Sequence, residues 1–342
     1  MDKIRVGLIG CGGNMRGHIR RLVTFPDVEI VAIVEPAAAN VQTAREQYPQ
    51  LAEVPVFDRH TEMLAAVRPD AVEISTPHTL HAQQILDSLD AGCHVLCEKP
   101  MTCSTAEAKA VVERTARTGK TMMVSYQRHQ QALYRWMRHF IADGGLGALQ
   151  FVTAQQYQSW YHGRRAGRGW RHLPHLSGGG QLNDSGSHLV DILLHVTGLK
   201  PKVVSALQQN LELEVDVNMA INVQFEGGAL GSVAIVGSAP GIGGRVYEDV
   251  SITGSEAGLY YRVLGQTDNK PLLQLRRTGQ TEPEPTLPDL PGSSDPDRAF
   301  IDVILGRAEN EAPPICGLRT IQLSEAAWRS AAQDGRPVVV EE

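Results

Sequence analysis

The chain of 342 residues has no apolar run approaching the roughly 20 residues a helix needs to cross a bilayer. It has no basic excess either. Its 32 Lys and Arg stand against 38 Asp and Glu, a formal net charge of −6. Binding nucleic acid takes a concentrated basic surface, so that class of partner is excluded along with the membrane-spanning class. Cysteine is scarce and odd in number. Five thiols in a chain of this length are not a disulfide framework, and they read as reduced thiols of a cytoplasmic protein. Cys93, Cys97 and Cys103 lack the spacing of a zinc site, so no metal is expected. There is no internal repeat. Strand-like sequence begins so close to the N-terminus that no signal peptide is expected.

What is present is 42% apolar sequence, enough for a sizeable core, in a length that suits two domains. We expect them at 1–125 and 126–342. In the first, short β-branched runs at 4–9, 28–34, 54–57, 71–75, 95–97 and 121–125 read as strands. Helical segments at 15–24, 39–48, 61–67, 81–91 and 106–118 alternate with them. Such alternation predicts βαβ units, that is, a doubly wound parallel sheet of the Rossmann type buried on both faces. Ser104 and Glu107 have the spacing of a capping box at the start of the 106–118 helix.

The second half changes rhythm. Longer alternating strands are expected at 150–158, 203–211, 218–225, 229–236, 246–253 and 258–264, with a helix at 188–197. This is an α+β pattern: a largely antiparallel open sheet with helices on one face. The other face needs a cover, so a homodimer or homotetramer built sheet to sheet is expected. Residues 278–296 read as a surface connection, and 298–305 and 320–332 as two last helices.

Gly10-Cys11-Gly12-Gly13-Asn14-Met15 ends the first strand and opens the first helix. Gly10 permits a tight turn, Gly12 lets backbone approach a pyrophosphate, and the helix N-terminus offers free N–H groups. Met15 stands where the usual fingerprint has Gly or Ala. Glu35 ends the second strand, 25 positions after Gly10, where a carboxylate can accept from ribose hydroxyls and repel a 2′-phosphate. The expected cofactor is therefore NAD, with NADP disfavoured.

Two further strings carry a family signature: Ser75-Thr76-Pro77-His78 with His81, and Ala91-Gly92-Cys93-His94-Val95 followed by Glu98-Lys99-Pro100. With His18 behind the glycine turn and Gly178-Gly179-Gly180-Gln181-Leu182-Asn183-Asp184 leading to His188 and Asp191, the chain resembles the Gfo/Idh/MocA oxidoreductases along nearly its whole length. The resemblance implies that Thr76, Pro77, His78, His81, Glu98 and Lys99 join Gly10, Gly12, Gly13, Asn14, Met15 and Glu35 around the cofactor. It also implies that Lys99 reaches the reacting carbinol, and that Asp184 and His188 form the family's DxxxH pair.

The chemistry fits these residue types. Oxidising an alcohol with NAD⁺ sends a hydride to the cofactor and a proton to a base. His188 is the expected base. Asp184, four residues earlier, would share a helix face with it and orient the ring or bind a substrate hydroxyl. Lys99 would stabilise an alkoxide or relay a proton. Asp191 and His195 repeat the spacing and are expected to be structural. Trp160, Arg164, Trp170 and Arg171, in a stretch crowded with arginine and aromatics, are expected to face a small-molecule sugar or polyol. Their guanidinium groups suit a carboxylate or phosphate equally. Tyr126 and Arg128, after the last strand of the first domain, are expected to join them. The implied activity is an NAD-dependent dehydrogenase acting on CH–OH groups of a sugar, inositol or related polyol. Two alternatives stay open: a redox-neutral, NAD-dependent glycoside-processing enzyme, and a non-catalytic dinucleotide-binding sensor.

Overall fold

The computed structural model describes residues 3–241, 246–263, 272–280 and 292–341. It divides into two compact units, Met1–Gln130 with Ser294–Leu318, and Gln131–Ser293 with Arg319–Glu342.

The first unit alternates strand and helix: β1 (Ile4–Ile9), α1 (Met15–Leu22), β2 (Val28–Val34), α2 (Ala38–Gln47), β3 (Val56–Phe57), α3 (His60–Val67), β4 (Ala71–Ile74), α4 (His81–Asp90), β5 (His94–Cys97), α5 (Thr105–Thr118) and β6 (Met122–Val124). All six strands pair in parallel, in the order β3-β2-β1-β4-β5-β6. Strand order reverses between β1 and β4, which opens a crevice at their carboxyl ends. The expected cap of α5 forms. Ser104 Oγ accepts the Glu107 N–H at 3.3 Å, and the Glu107 carboxylate reaches back to the Cys103 N–H at 3.1 Å.

The second unit begins with α6 (Ala132–Ala142), for which the sequence reading had no helix. Its buried positions, Leu133, Tyr134, Met137 and Ile141, have helical spacing, but its N-cap residue Gln131 makes no side-chain cap, and the Ala132 N–H is met by Ser293 Oγ at 3.0 Å. Then come β7 (Leu149–Gln158), short helices α7 (Trp160–Arg165) and α8 (Pro174–Ser177), α9 (Gly186–Thr197), β8 (Pro201–Gln209), β9 (Asn218–Phe225), β10 (Leu230–Val236), β11 (Val246–Gly254), β12 (Ala257–Val263) and β13 (Leu272–Arg277). Helix α10 (Pro296–Ile304) lies in the 294–318 segment, which the sequence placed in the second domain and which packs in the first unit. Its start is capped by Asp295, which accepts the Arg298 N–H at 2.9 Å. Helix α11 (Pro314–Ala331) starts six residues before its expected position, and β14 (Val338–Val339) closes the chain.

The second sheet runs β13-β12-β11-β7-β10-β9-β8-β14. Every pairing is antiparallel except that of β7 with β10. Helix α9 packs against β7 and α6. Phe151 and Leu230, in register on β7 and β10, remain exposed, as does Leu207 on β8. Leu264 and residues 281–291, parts of an expected strand and of the expected surface connection, lie outside the described residues. No described helix is long and apolar enough to cross a membrane.

Candidate active site

Two loops meet at the crevice of the parallel sheet. Gly10 has φ +94°, and a Cβ there would lie 2.5 Å from the Ser75 carbonyl oxygen, so both backbone conformation and space demand glycine. Asn14 Nδ2 donates to Ser75 Oγ at 3.2 Å across the same junction. At Gly12 a Cβ would meet nothing within 4 Å, so the outer side of the turn is open, and Gly13 beside it meets only the Arg16 side chain. Met15 fills the fingerprint position differently from a small residue: its side chain is wholly buried in the core under α1. The turn thus presents the backbone cradle and helix start that a pyrophosphate requires, while Met15 supplies packing beneath it.

Glu35 extends from the end of β2. Its carboxylate accepts the Cys11 N–H at 2.8 Å and the Ala37 N–H at 3.0 Å. It borders a cleft of about 650 Å³ that is also lined by Gln42, Arg45, Glu46 and Asp58. Arg45 donates to the Leu51 and Val54 carbonyls at 3.2 and 2.8 Å, so its guanidinium is engaged with backbone. Burial and the Glu35 charge push the Cys11 thiol up to about 11, so it stays protonated at neutral pH.

Behind β4, Thr76 Oγ1 donates to Gln84 at 2.7 Å, Pro77 opens the short turn His78–Leu80, and His78 is buried. His81 is wholly inaccessible. Its ring nitrogens lie 2.8 Å from the Pro100 carbonyl and 3.0 Å from the Thr76 carbonyl, and burial lowers its pKa. A cofactor-lining role was expected of His81, but its place is beneath the two loops, bracing one against the other.

Glu98 and Lys99 follow β5. The Lys99 N–H donates to Glu98 Oε2 at 3.3 Å, and Glu98 Oε1 lies 3.1 Å from His18 Nε2. The other His18 nitrogen is 2.7 Å from Asp297 Oδ1 and 3.5 Å from Glu73 Oε2, while Arg21 binds the second Asp297 oxygen. Burial opposes charge on His18, but its carboxylate neighbours outweigh that and raise its pKa well above 6.5. Although Glu98 is buried, His18 and Lys99 hold its carboxyl well below the usual range. Glu73 goes the other way. Burial, reinforced by Asp297, raises it well above 4.5, and neither of its oxygens has a hydrogen-bond partner. His18, Glu73 and Asp297 place donor atoms within 4.8 Å of one another, but Arg21 and a protonated His18 already balance the two ionised acids, as an ion-pair network does. Sequence reasoning overlooked Glu73 and Asp297. An acid in the middle of a fully buried strand was the available signal for the first. Tyr126, in the same unit, is buried and stacks on His129 at 5.6 Å, and Arg128 is half-buried in the turn Gln127–Gln130.

In the second unit the Gly178–Asp184 segment is shaped by Asp216. This buried carboxylate accepts the Gly180 N–H at 2.9 Å, the Leu182 N–H at 2.7 Å and Trp328 Nε1 at 2.9 Å. A Cβ on Gly180 would lie 1.9 Å from the Asp216 carbonyl oxygen. Helix α9 starts at Gly186, so Asp184 precedes it and does not share a helical face with His188, contrary to expectation. The Asp184 carboxylate instead accepts Trp160 Nε1 at 2.8 Å and Arg171 Nε at 3.1 Å. His188 is distinctive within α9: Gly186, Ser187 and the whole of 189–196 are buried, whereas His188 is half-exposed in the first turn. Gln156 steadies that turn, donating to the Ser185 carbonyl at 3.3 Å and to buried Glu248 at 2.9 Å. Asp191 and His195 are buried, and Arg138 contacts the His195 ring at 2.6 Å. Arg164 lies 5.5 Å over the Trp160 ring, and Arg171 lies 4.6 Å over that of Trp170.

Comparison with known proteins agrees with this architecture. Residues 4–126 match the model described as "Oxidoreductase family, NAD-binding Rossmann fold", and residues 134–260 match the GFO/IDH/MocA C-terminal domain. The D-glucoside 3-dehydrogenase of Escherichia coli is 32% identical over 200 residues, 57% of this chain and about half (54%) of that enzyme. The inositol 2-dehydrogenase of Corynebacterium glutamicum is 28% identical over 233 residues, 65% of this chain and 68% of its own. Among solved structures, the WlbA dehydrogenase of Bordetella pertussis, in complex with NADH and UDP-GlcNAcA, superposes with a TM-score of 0.83 at 24% identity, covering 99% of both chains. That likeness establishes the fold, and the two matched models establish kinship: the chain belongs to the Gfo/Idh/MocA family of oxidoreductases.

Proposed function

We propose that this chain is an NAD(H)-dependent dehydrogenase that interconverts a CH–OH group and a carbonyl on a sugar, inositol or related polyol. The observation that carries the reading is the meeting of the Gly10 turn and the Ser75 loop at the switch point of the parallel sheet, with the Glu35 carboxylate bordering the same crevice. The relatives named glucoside and inositol dehydrogenases point to the same substrate class.

The open backbone at Gly12 and Gly13, with Asn14 and the start of α1, receives the pyrophosphate, and Glu35 receives the adenosine ribose. A 2′-phosphate would meet Glu35 and Asp58 in the adjoining cleft, which favours NAD over NADP. Bound NAD⁺ supplies the hydride acceptor. The substrate C–H hydride and O–H proton leave together, yielding carbonyl, NADH and H⁺. His188 takes the hydroxyl proton, and Lys99 stabilises charge on the oxygen as it develops. Asp184 holds Trp160 and Arg171 in place around the substrate. None of the five cysteines is in a disulfide, and we place the protein in the cytoplasm, where thiols stay reduced. The exposed apolar residues Phe151, Leu207 and Leu230 support a homo-oligomer built on the second sheet.

The test is NADH formation across inositols, hexoses, alditols and sugar acids, with NADP⁺ in parallel. At least one compound should reduce NAD⁺, and NADP⁺ should serve poorly. Tight NADH binding without turnover of any compound would overturn the reading in favour of a sensor. Glycoside cleavage with no net NADH would favour redox-neutral chemistry.

A further inference from the structure

Among the described residues, the charges that act at Arg164 do not balance. Arg164 and Arg171 both act on this single carboxylate, and the charges that act on Arg164 are those of Asp184 and Arg171. Arg165 is no part of the count, because it pairs with Glu212 at 2.8 Å in an exposed ion pair. Both Asp184 oxygens are in use, one by Arg171 and one by the Trp160 indole. At Arg164, among the described residues, two guanidinium groups stand against one carboxylate, which leaves one positive charge over.

The excess charge is held rigidly. Each guanidinium stacks on an indole, Arg164 on Trp160 and Arg171 on Trp170. Arg164 is further fixed by donating Nη1 to the Arg168 carbonyl at 2.8 Å. Its Nε is buried with no hydrogen-bond partner, as is His172 Nδ1, next in sequence to Arg171. A stacked, partly buried guanidinium with an unused N–H is costly to hold without an anion, because desolvation has removed the water that would otherwise solvate it. Burial and the Arg171 charge both act to lower the Arg164 pKa, and an incoming anion would reverse that pressure.

We infer that Arg164 and Arg171 form a carboxylate subsite beside Asp184, so that the preferred substrate is a sugar acid and not a neutral polyol. This rests on the dehydrogenase reading for its chemistry but not for its binding. The planar guanidinium fork matches a carboxylate, and a single surplus charge matches a monoanion better than a phosphate dianion. Asp184, which Arg171 binds, belongs to the turn that leads into the helix carrying His188.

The experiment measures equilibrium binding by calorimetry to the full chain with NADH bound. It uses matched pairs: D-glucose with D-glucuronate, D-galactose with D-galacturonate, D-mannose with D-mannuronate, and each hexose 6-phosphate. At least one uronate should bind tenfold or more tighter than its hexose and tighter than the 6-phosphate. Arg164→Gln should shrink that ratio about tenfold, and Arg164→Lys should retain part of it, with thermal melts confirming that both variants fold. Equal affinity within every pair, a tighter 6-phosphate, or a ratio untouched by Arg164→Gln would overturn the inference. NADH formation is read separately. Acid-selective binding without reduction of NAD⁺ by any compound would leave the subsite standing and remove the dehydrogenase reading.

Discussion

At Glu35 one carboxylate has two jobs. In the structure it accepts two backbone N–H groups, which ties the end of β2 to the glycine turn. In the proposed complex it also offers acceptors to the adenosine ribose. Replacing Glu35 with Ala should weaken NADH binding by about tenfold or more, on the scale of hydrogen bonds to a charged group, and should raise NADPH affinity relative to NADH. Fluorescence titration with both cofactors decides this, and an unchanged ratio would contradict the assignment. In the proposed reaction His188 and Lys99 act on the substrate oxygen. His188→Ala and Lys99→Ala should each lower kcat/KM by about 10²–10⁴ while NADH binding persists. The exposure of His188 in an otherwise buried helix makes a purely packing role a poor account of it. Near-native turnover in either variant would count against its assignment.

Elements are held by buried acids, and these divide by sign. Glu73 in β4 keeps its proton above 4.5, where the unfolded chain has released it, because burial disfavours its ionised form. Folding therefore takes up a proton there, and stability falls as pH climbs from 4.5 toward the folded value. His18, raised above 6.5, acts in the same direction: its contribution is complete below 6.5 and is lost as pH rises through its folded pKa. Glu98 and Asp297, both lowered, contribute above their ordinary values and lose that contribution in acid. Glu73→Gln removes the ionisable group but keeps the shape. The melting-temperature gap between this variant and the native chain should widen in the variant's favour from pH 4.5 toward neutrality, and a gap that does not change with pH would refute the buried-acid account. Asp216 organises the glycine loop by a different means, three hydrogen bonds to buried donors. Asp216→Ala leaves those donors unsatisfied and should cost at least about 2 kcal/mol in chemical denaturation, with kcat reduced through the displaced loop. A fully stable variant would show that the loop holds itself.

On the scale of the whole molecule, the proposed oligomer would cover the face of the second sheet that exposes Phe151, Leu207 and Leu230. Light scattering should give a mass of two or four chains, and a monomer at working concentration would end the sheet-to-sheet proposal. Most elements were readable from local pattern. Parallel strands buried on both faces are nearly continuous apolar runs, and antiparallel ones alternate, so the periodicity shows without any partner in view. Helix α6 escaped because its N-cap residue, Gln131, gives no capping signal, and the Ser293 hydroxyl that meets its first N–H lies 161 positions away in sequence. Strands β13 and β14 escaped because they are edge strands, specified by the neighbour they pair with.

Composition and local pattern determined the class of chain, the glycine turn at Gly10 and the position of Glu35 at the end of β2, because backbone conformation is a local property of sequence, whereas Lys99, Asp184 and His188 stood out through the family resemblance. Tertiary structure alone decided that His81 braces loops from below, that Asp184 stands outside the helix carrying His188, and that Glu73 and Asp297 share one buried cluster with His18. Those facts depend on which distant side chains burial forces together. Asp297 meets His18 across 279 positions of chain, a separation at which sequence spacing carries no distance information.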